Sequence, residues 1–152
     1  MKPITREWID KAESDYRIAA REIRVRKEPS FDGVCFHAQQ CAGKYLKSRL
    51  QEASIPFTKT HDLELLMNLL LPVEPQVATL QPELTALTAS AVELRYPGPS
   101  ADKAMAREAF QQCTRIRNLI RQSLGLPDPS ARNNAGDGGP RRSANKTRRK
   151  KG

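Results

Sequence analysis

Four polar side chains recur at helical spacing along one stretch of the chain and could together bind a phosphate group. They are His37, Gln40, Lys44 and Lys47. At about 100° per residue, the last three project within about 80° of His37, so the four form one surface strip of a helix. Ammonium groups supply positive charge, and the glutamine amide can donate or accept a hydrogen bond. The strip predicts a site for a phosphate with its ribose or base, although a solvated or dimer-facing strip also explains the spacing.

Two further groups could contribute to the same site. His61 directly precedes Asp62 at the predicted start of a short helix. There it could lean toward the strip, or the pair could serve only as a helix cap. Arg95 and Tyr96 end another predicted helix in front of Pro97. The guanidinium could clamp a phosphate while the phenol stacks on a base; a packing role for Tyr96 is the alternative.

The cysteines and histidines do not favour a metal site or a nucleophilic enzyme. Cys35, His37 and Cys41 are close in sequence, but on a helix Cys35 points away from the other two, and no fourth ligand is evident. An odd number of cysteines inside predicted helices indicates reduced, mostly buried thiols rather than a disulfide framework. The sequence has neither a glycine-rich phosphate loop nor a credible Ser-His-Asp or Cys-His arrangement.

Composition and charge divide the chain into two regions. Of its 152 residues, 38% are apolar and 5% aromatic, so a modest core must be built mainly from Leu, Ile and Ala, which favours helices. The net charge is +9, but residues 127–152 hold eight Lys or Arg and two Asp, which leaves +3 on residues 1–126. We therefore predict a folded domain over 1–126 and a disordered basic tail over 127–152 that could attract RNA or DNA.

Apolar residues recur at spacings of three and four in five segments, residues 5–27, 31–53, 62–71, 82–94 and 100–124. Thr5 is placed to cap the first helix, and Ser30 opens the second. No strand pattern competes, so we predict an all-α fold, an antiparallel bundle of four to five helices.

No run approaches the ~20 apolar residues that span a bilayer, and the first residues lack the hydrophobic stretch of a signal peptide. We expect a cytoplasmic protein without membrane contact.

These residues together resemble the HEPN domain, a small helical bundle named for nucleotide binding in higher eukaryotes and prokaryotes. The resemblance covers residues 5 to about 124 and rests on four segments: Trp8 with Ala12-Glu13-Ser14-Asp15-Tyr16, Phe36-His37-Ala38-Gln39-Gln40 with Lys44 and Lys47, Lys59-Thr60-His61-Asp62-Leu63, and Arg95-Tyr96-Pro97. The family typically has Glu before the lysine that Lys44 matches, whereas this chain has Gly43. Glycine there either lets another group approach closely or marks drift at an exposed position.

The resemblance implies one of two activities. Many HEPN proteins work with a small nucleotidyltransferase in toxin–antitoxin or related modules. A large branch are metal-independent ribonucleases whose motif is Arg followed, after four to six residues, by His. Neither His37 nor His61 has an arginine at that spacing. The nearest remnant runs from Arg117 to Gln122, and glutamine cannot exchange a proton near neutral pH.

Four charged residues outside the strip are most simply interpreted as solvated surface charges. They are Glu13, Asp15, Arg117 and Arg121.

The residues and the resemblance together favour a nucleotide-binding or adaptor HEPN domain with no complete catalytic set. The resemblance implies a homodimer beside a nucleotidyltransferase partner, with a nucleotide as possible ligand. A ribonuclease toxin and a structural dimer tethered to RNA by its basic tail are the alternatives.

Overall fold

The fold consists of five α-helices and one short 3₁₀-helix. The computed structural model describes residues 1–129, among which there is no strand. The elements are α1, Pro3–Glu22; α2, Phe31–Glu52; α3, Leu63–Leu70; the 3₁₀-helix, Pro75–Leu80; α4, Gln81–Glu93; and α5, Lys103–Ser123. The predicted all-α bundle is confirmed. Of the predicted basic tail, residues 130–152 lie outside the described residues.

Helix α2 is the central element of the bundle and contacts each of the other four α-helices. Half of its 22 residues are buried, including the small residues Ala38, Ala42 and Gly43. A helix covered on several sides must also bury polar positions, and these require hydrogen-bond partners. The Ser48 hydroxyl accordingly donates to the carbonyl of Tyr45 at 2.6 Å. Any site on α2 is therefore held by a helix that the rest of the bundle fixes in place.

Helix α1 begins earlier and ends sooner than the sequence predicts. It starts at Pro3, with Lys2 at the N-cap position, and Thr5 is not a cap. The Thr5 side chain is buried and donates to Glu52 Oε2 at 2.6 Å. At the other end the helix stops at Glu22, five residues before the predicted end. Farther along the connection, Glu28 takes the left-handed region with φ 52° directly before Pro29.

Three side chains cap the helices that follow. Ser30 accepts from the backbone N–H of Gly33 at the start of α2, as the sequence predicts. Asp62 accepts from the backbone N–H groups of Glu64 and Leu65 in the first turn of α3, at 3.1 and 3.2 Å. Asp62 therefore caps α3, as the sequence predicts for this position. Asp102 caps α5, which therefore begins at Lys103 rather than near residue 100. Such caps satisfy donors that a helix leaves unpaired.

Gly43 is a close-packing position between α2 and α3. The residue is buried, so drift at an exposed position is the wrong explanation for glycine here. A Cβ atom built at Gly43 would lie 3.2 Å from Leu63 Cδ2. The group that approaches is thus the first side chain of α3, and glycine lets that helix sit directly on α2.

We expect Gly43→Val to lower the free energy of unfolding by about 1–2 kcal/mol, because its γ carbons would press on Leu63. Gly43→Ala should stay close to wild type, since the gain of about 1 kcal/mol in helix propensity offsets one tight methyl contact. Urea unfolding of both variants measures these changes. Ala104→Gly and Ala104→Val at an exposed position of α5 are matched controls that report propensity alone. If the free energies of unfolding of the Val and Ala variants differ no more at position 43 than at position 104, Gly43 is not tightly packed against Leu63.

Candidate functional site

A buried carboxylate on α1 holds two side chains of the predicted strip. Asp15 Oδ1 lies 2.7 Å from His37 Nδ1, and Asp15 Oδ2 accepts from Lys44 Nζ at 2.5 Å. The Asp15 side chain is 9% exposed, so its interpretation as a solvated surface charge is wrong. His37 and Lys44 are two helical turns apart on α2, and α1 packs along α2, so one carboxylate can bridge both. This pairing fixes the orientation of the imidazole and places a positive charge beside it.

A shallow depression lies beside this ion pair, between α2 and the loop that leads to α3. Its lining residues are Gln39, Gln40, Gly43, Lys44, Lys47, Thr60 and His61. The enclosed volume is about 10 Å³, which is room for about one water molecule. The structure therefore brings four of the predicted residues together around a hollow that can meet a phosphate from one side but cannot enclose a nucleotide.

Gln39 positions the histidine loop against α2. Its side chain is buried, and its Nε2 donates to the backbone carbonyl of His61 at 3.0 Å. The Gln40 amide donates in turn to Gln39 Oε1, also at 3.0 Å. His61 is exposed, and this bond places it next to the strip, where it lines the depression. Gln39 was not among the residues predicted for the site.

Lys47 gives the depression a second cation. Its Nζ lies 5.3 Å from the centre of the Trp8 ring, a distance at which the ring attracts a cation. Burial and the neighbouring ammonium of Lys44 lower the pKa of Lys47. Among residues 1–129, no carboxylate lies within 4.0 Å of this ammonium group. Lys44 is therefore paired with Asp15 while Lys47 is not, and an external anion would relieve the repulsion between the two ammonium groups.

The structure does not bring Arg95 and Tyr96 to this depression. Both follow the end of α4 and are exposed, in a turn where Gly98 takes a positive φ of 113°. Neither residue lines the depression beside Lys44. The predicted contribution of these two residues therefore remains a prediction, separate from the group around Asp15.

A second, largely buried polar cluster, the Glu13 cluster, joins α1, α2 and α5; the Glu13 side chain itself is 19% exposed. Glu13 accepts two hydrogen bonds from Arg117, at 2.7 and 3.0 Å, one from the Tyr45 hydroxyl and a long one of 3.4 Å from Arg121. The Arg117 guanidinium also lies 4.1 Å from the centre of the Tyr16 ring. The interpretation of Glu13, Arg117 and Arg121 as solvated surface charges is therefore wrong.

The cluster shifts the proton affinities of its members in opposite directions. Burial alone would raise the pKa of Glu13, but hydrogen bonds from Arg117 and Tyr45 and the nearby guanidinium charges outweigh it, so the pKa falls below 4.5. Burial and the bond to Glu13 raise the pKa of the Tyr45 phenol. At neutral pH the cluster is an ionised carboxylate facing a neutral phenol and two guanidinium groups, which is a structural arrangement.

The model of the HEPN domain family matches residues 5–123. The chain belongs to the HEPN domain family. The crystal structure of an archaeal HEPN homologue has a similar fold, with a TM-score of 0.59 and 23% sequence identity over 82% of this chain and 99% of that one. No curated protein sequence is significantly similar to the chain.

In this HEPN domain, the remnant of the family's nuclease motif is tied into the Glu13 cluster. Arg117 would supply the arginine of the motif, but its guanidinium is bound by Glu13 and its side chain is only 10% exposed. Gln122, where the histidine would stand, is exposed and cannot act as a general acid or base. The geometry thus gives Arg117 a structural partner and gives the motif no proton-transfer group.

The described residues hold neither a metal site nor a membrane-spanning helix. Cys35, Cys41 and Cys113 are free and buried; burial, with Asp32 and Asp102 nearby, raises the pKa of Cys35 to about 11. Within residues 1–129, no three or more His, Cys, Asp and Glu side chains are grouped to hold a metal ion. No helix in the same range is both long and apolar enough to cross a membrane.

Proposed function

We propose that this HEPN domain binds the phosphate group of a nucleotide on the strip of His37, Gln40, Lys44 and Lys47, with His61 at its edge. It acts as an adaptor beside a nucleotidyltransferase partner in a toxin–antitoxin-like module and has no catalytic set of its own. The observation that carries the proposal is the buried Asp15 carboxylate, which holds His37 and Lys44 side by side at 2.7 and 2.5 Å.

The bonds to Asp15 orient His37 and Lys44 and leave donor capacity for a ligand. Among residues 1–129, Nε2 of His37 has no hydrogen-bond partner, and Lys44 uses one of its three protons on Asp15. The remaining protons of Lys44 can be donated to a phosphate that lies beside the His37 ring.

The size of the depression supports a site that a second chain completes. A hollow of about 10 Å³ leaves the ribose and base outside, where binding pockets normally bury most of a ligand. Either a second copy of the chain or the nucleotidyltransferase would cover them. The homodimer and the partner implied by the family resemblance therefore belong to the same proposal.

The decisive experiment is native mass spectrometry of the full chain with ATP, GTP and their monophosphates, alone and with an equimolar nucleotidyltransferase from a HEPN module. We expect one nucleotide type to be retained, and Lys44→Ala to weaken its binding at least tenfold, which corresponds to about 1.4 kcal/mol. Arg107→Ala removes an exposed charge on α5 and is the matched control. Retention of no nucleotide in either setting, or equal loss in both variants, would refute the phosphate site.

A further inference from the structure

Two adjoining apolar hollows open beside the depression, at the junction of α1, the α2–α3 loop and α3. One has a volume of about 730 Å³ and includes Ile4 and Trp8; the other has about 470 Å³ and includes Leu65 and Leu69. Both are lined by Pro56 and Phe57. We call these six residues the Trp8 surface. Grouped apolar side chains of this kind mark interaction sites more often than isolated ones do.

The arrangement of the Trp8 surface suits a helix of a partner. Ile4 and Trp8 are one turn apart on α1, and Leu65 and Leu69 are one turn apart on α3. The Phe57 ring stands between the two hollows, edge-on to Trp8 with 6.1 Å between ring centres. An amphipathic helix presents apolar anchors at the same one-turn intervals, so its side chains could enter the hollows on either side of Phe57.

Two lysines beside the Trp8 surface lack a carboxylate partner among residues 1–129. Three carboxylates of the neighbouring segments already accept hydrogen bonds within the chain: Glu52 from Thr5, Asp62 from the first turn of α3, and Glu64 from Thr85. Lys47 and Lys59, in contrast, have no carboxylate within 4.0 Å among residues 1–129. Lys47 lies against the Trp8 ring, and Lys59 follows Thr58, which lines the second hollow. The complementary partner is therefore acidic.

We infer that the Trp8 surface docks an acidic amphipathic helix of a partner protein. The apolar side chains of that helix fill the two hollows, and its Asp or Glu residues face Lys47 and Lys59. This goes beyond the proposed function, which places a phosphate on the strip of α2 and assigns nothing to the apolar residues; the two proposals share Lys47.

Two other occupants fit the surface less well. A second copy bound through the same face about a twofold axis would bring the unpaired Lys47 and Lys59 of each copy together, and like charges at an interface are costly. Single-stranded RNA binds by stacking bases on aromatic rings, but only Trp8 and Phe57 offer such a ring, and the other four residues of the surface are aliphatic. An acidic helix satisfies both the aliphatic lining and the free cations.

Trp8 is the only tryptophan of the chain and reports on the surface directly. The probe is a pool of helical peptides of about four turns, with Leu, Ile or Phe at one-turn intervals and Glu beside them, titrated into the full chain. A matched pool carries Lys in place of each Glu. We expect a saturable blue shift of Trp8 emission with the Glu peptides, at least tenfold tighter than with the Lys peptides and weaker as salt rises.

A pair of surface substitutions locates the binding. Leu65→Gln changes a side chain that is already 43% exposed, so the fold should persist. The variant should bind the Glu peptides at least tenfold more weakly. Val92→Gln, at an exposed position of α4 with 53% exposure, should leave the affinity for the Glu peptides unchanged. Lys44→Ala should weaken nucleotide binding and leave peptide binding unchanged, so each proposal can fail without the other.

Four results would overturn the inference. Equal affinity for the Lys peptides would exclude charge complementarity, and Glu-peptide affinity unchanged in Leu65→Gln would place the binding elsewhere. A dimer that Leu65→Gln dissociates in the absence of peptide would assign the surface to a second copy. Quenching of Trp8 by an oligouridylate, with no response to Glu peptides, would assign it to nucleic acid.

Discussion

Glu13→Gln is expected to lower the free energy of unfolding by about 3 kcal/mol, the low end for breaking a buried ion pair by removing one partner. The substitution keeps the shape of the side chain but removes the only carboxylate among residues 1–129 that pairs with Arg117, whose side chain is 10% exposed. The Tyr45 hydroxyl loses a charged acceptor in the same step. Because α1, α2 and α5 each contribute to the Glu13 cluster, the loss should appear as global destabilisation in urea, with a fall in Tm of about 10 °C.

Glu7→Gln, at an exposed position of the same helix, is the control and should change stability by less than about 0.5 kcal/mol. Acid gives an independent check. The folded pKa of Glu13 lies below its ordinary value of 4.5, so its stabilising effect is complete above that value and is lost as pH falls through the folded pKa. Wild type and Glu13→Gln should therefore converge as the pH falls below 4.5 and through the folded pKa of Glu13. A loss under about 1 kcal/mol at pH 7 would contradict a structural role for the cluster.

The helices were predictable from sequence because they depend on local periodicity. The five apolar segments correspond to the five α-helices, and Pro and Gly residues mark their ends. The errors are confined to boundaries and to the 3₁₀-helix Pro75–Leu80, which the sequence analysis left unassigned. Thr5 shows why: a hydroxyl at a helix start suits a cap, but here it is buried against Glu52 of α2, a contact that depends on how α1 lies on α2.

The strip on α2 was also predictable, since its members share one helix face. The partners that hold it were not, because they lie on α1 and depend on the register between two helices. Asp15 nevertheless carried a signal. It is three residues after Ala12 and four before Ala19, so it shares a helix face with two apolar residues, where a carboxylate becomes buried and needs a partner. Arg117 likewise lies four residues after Cys113 and three before Ile120 on α5, and it is buried for the same reason.

Arg49→Met is expected to lower the free energy of unfolding by about 3 kcal/mol, because it leaves the carboxylate of Glu74 buried without a countercharge. The Glu74 side chain is 9% exposed. Its Oε1 accepts from Arg49 Nε and Nη2 at 2.9 and 2.8 Å and from the Ser123 hydroxyl, and its Oε2 accepts from Gln76 at 2.6 Å. This one carboxylate links α2, the start of the 3₁₀-helix and the end of α5.

The comparison with Arg115→Met separates a buried pair from an exposed one. Arg115 pairs with Glu83 at 3.0 Å, but the arginine side chain is 54% exposed, and solvent-exposed pairs contribute at most about 1 kcal/mol. The double variant Arg49→Met/Glu74→Gln removes both charges together. Its free energy of unfolding should therefore be about 1–3 kcal/mol higher than the added losses of Arg49→Met and Glu74→Gln predict. Equal losses in Arg49→Met and Arg115→Met would mean that the Glu74 contacts do not stabilise the fold.

The pH dependence of Arg49→Met distinguishes loss of charge from loss of packing. In the wild type, burial raises the pKa of Glu74, but the bonds from Ser123 and Arg49 and the charge of Arg49 outweigh it and lower the pKa below 4.5. Without Arg49 the pKa should rise, so acid neutralises the unpaired carboxylate while the variant is still folded. The stability gap between wild type and Arg49→Met should then narrow from pH 7 toward pH 4. Packing lost with the arginine side chain does not depend on protonation. A difference in unfolding free energy between wild type and variant that stays constant with pH would therefore identify lost packing as the cause.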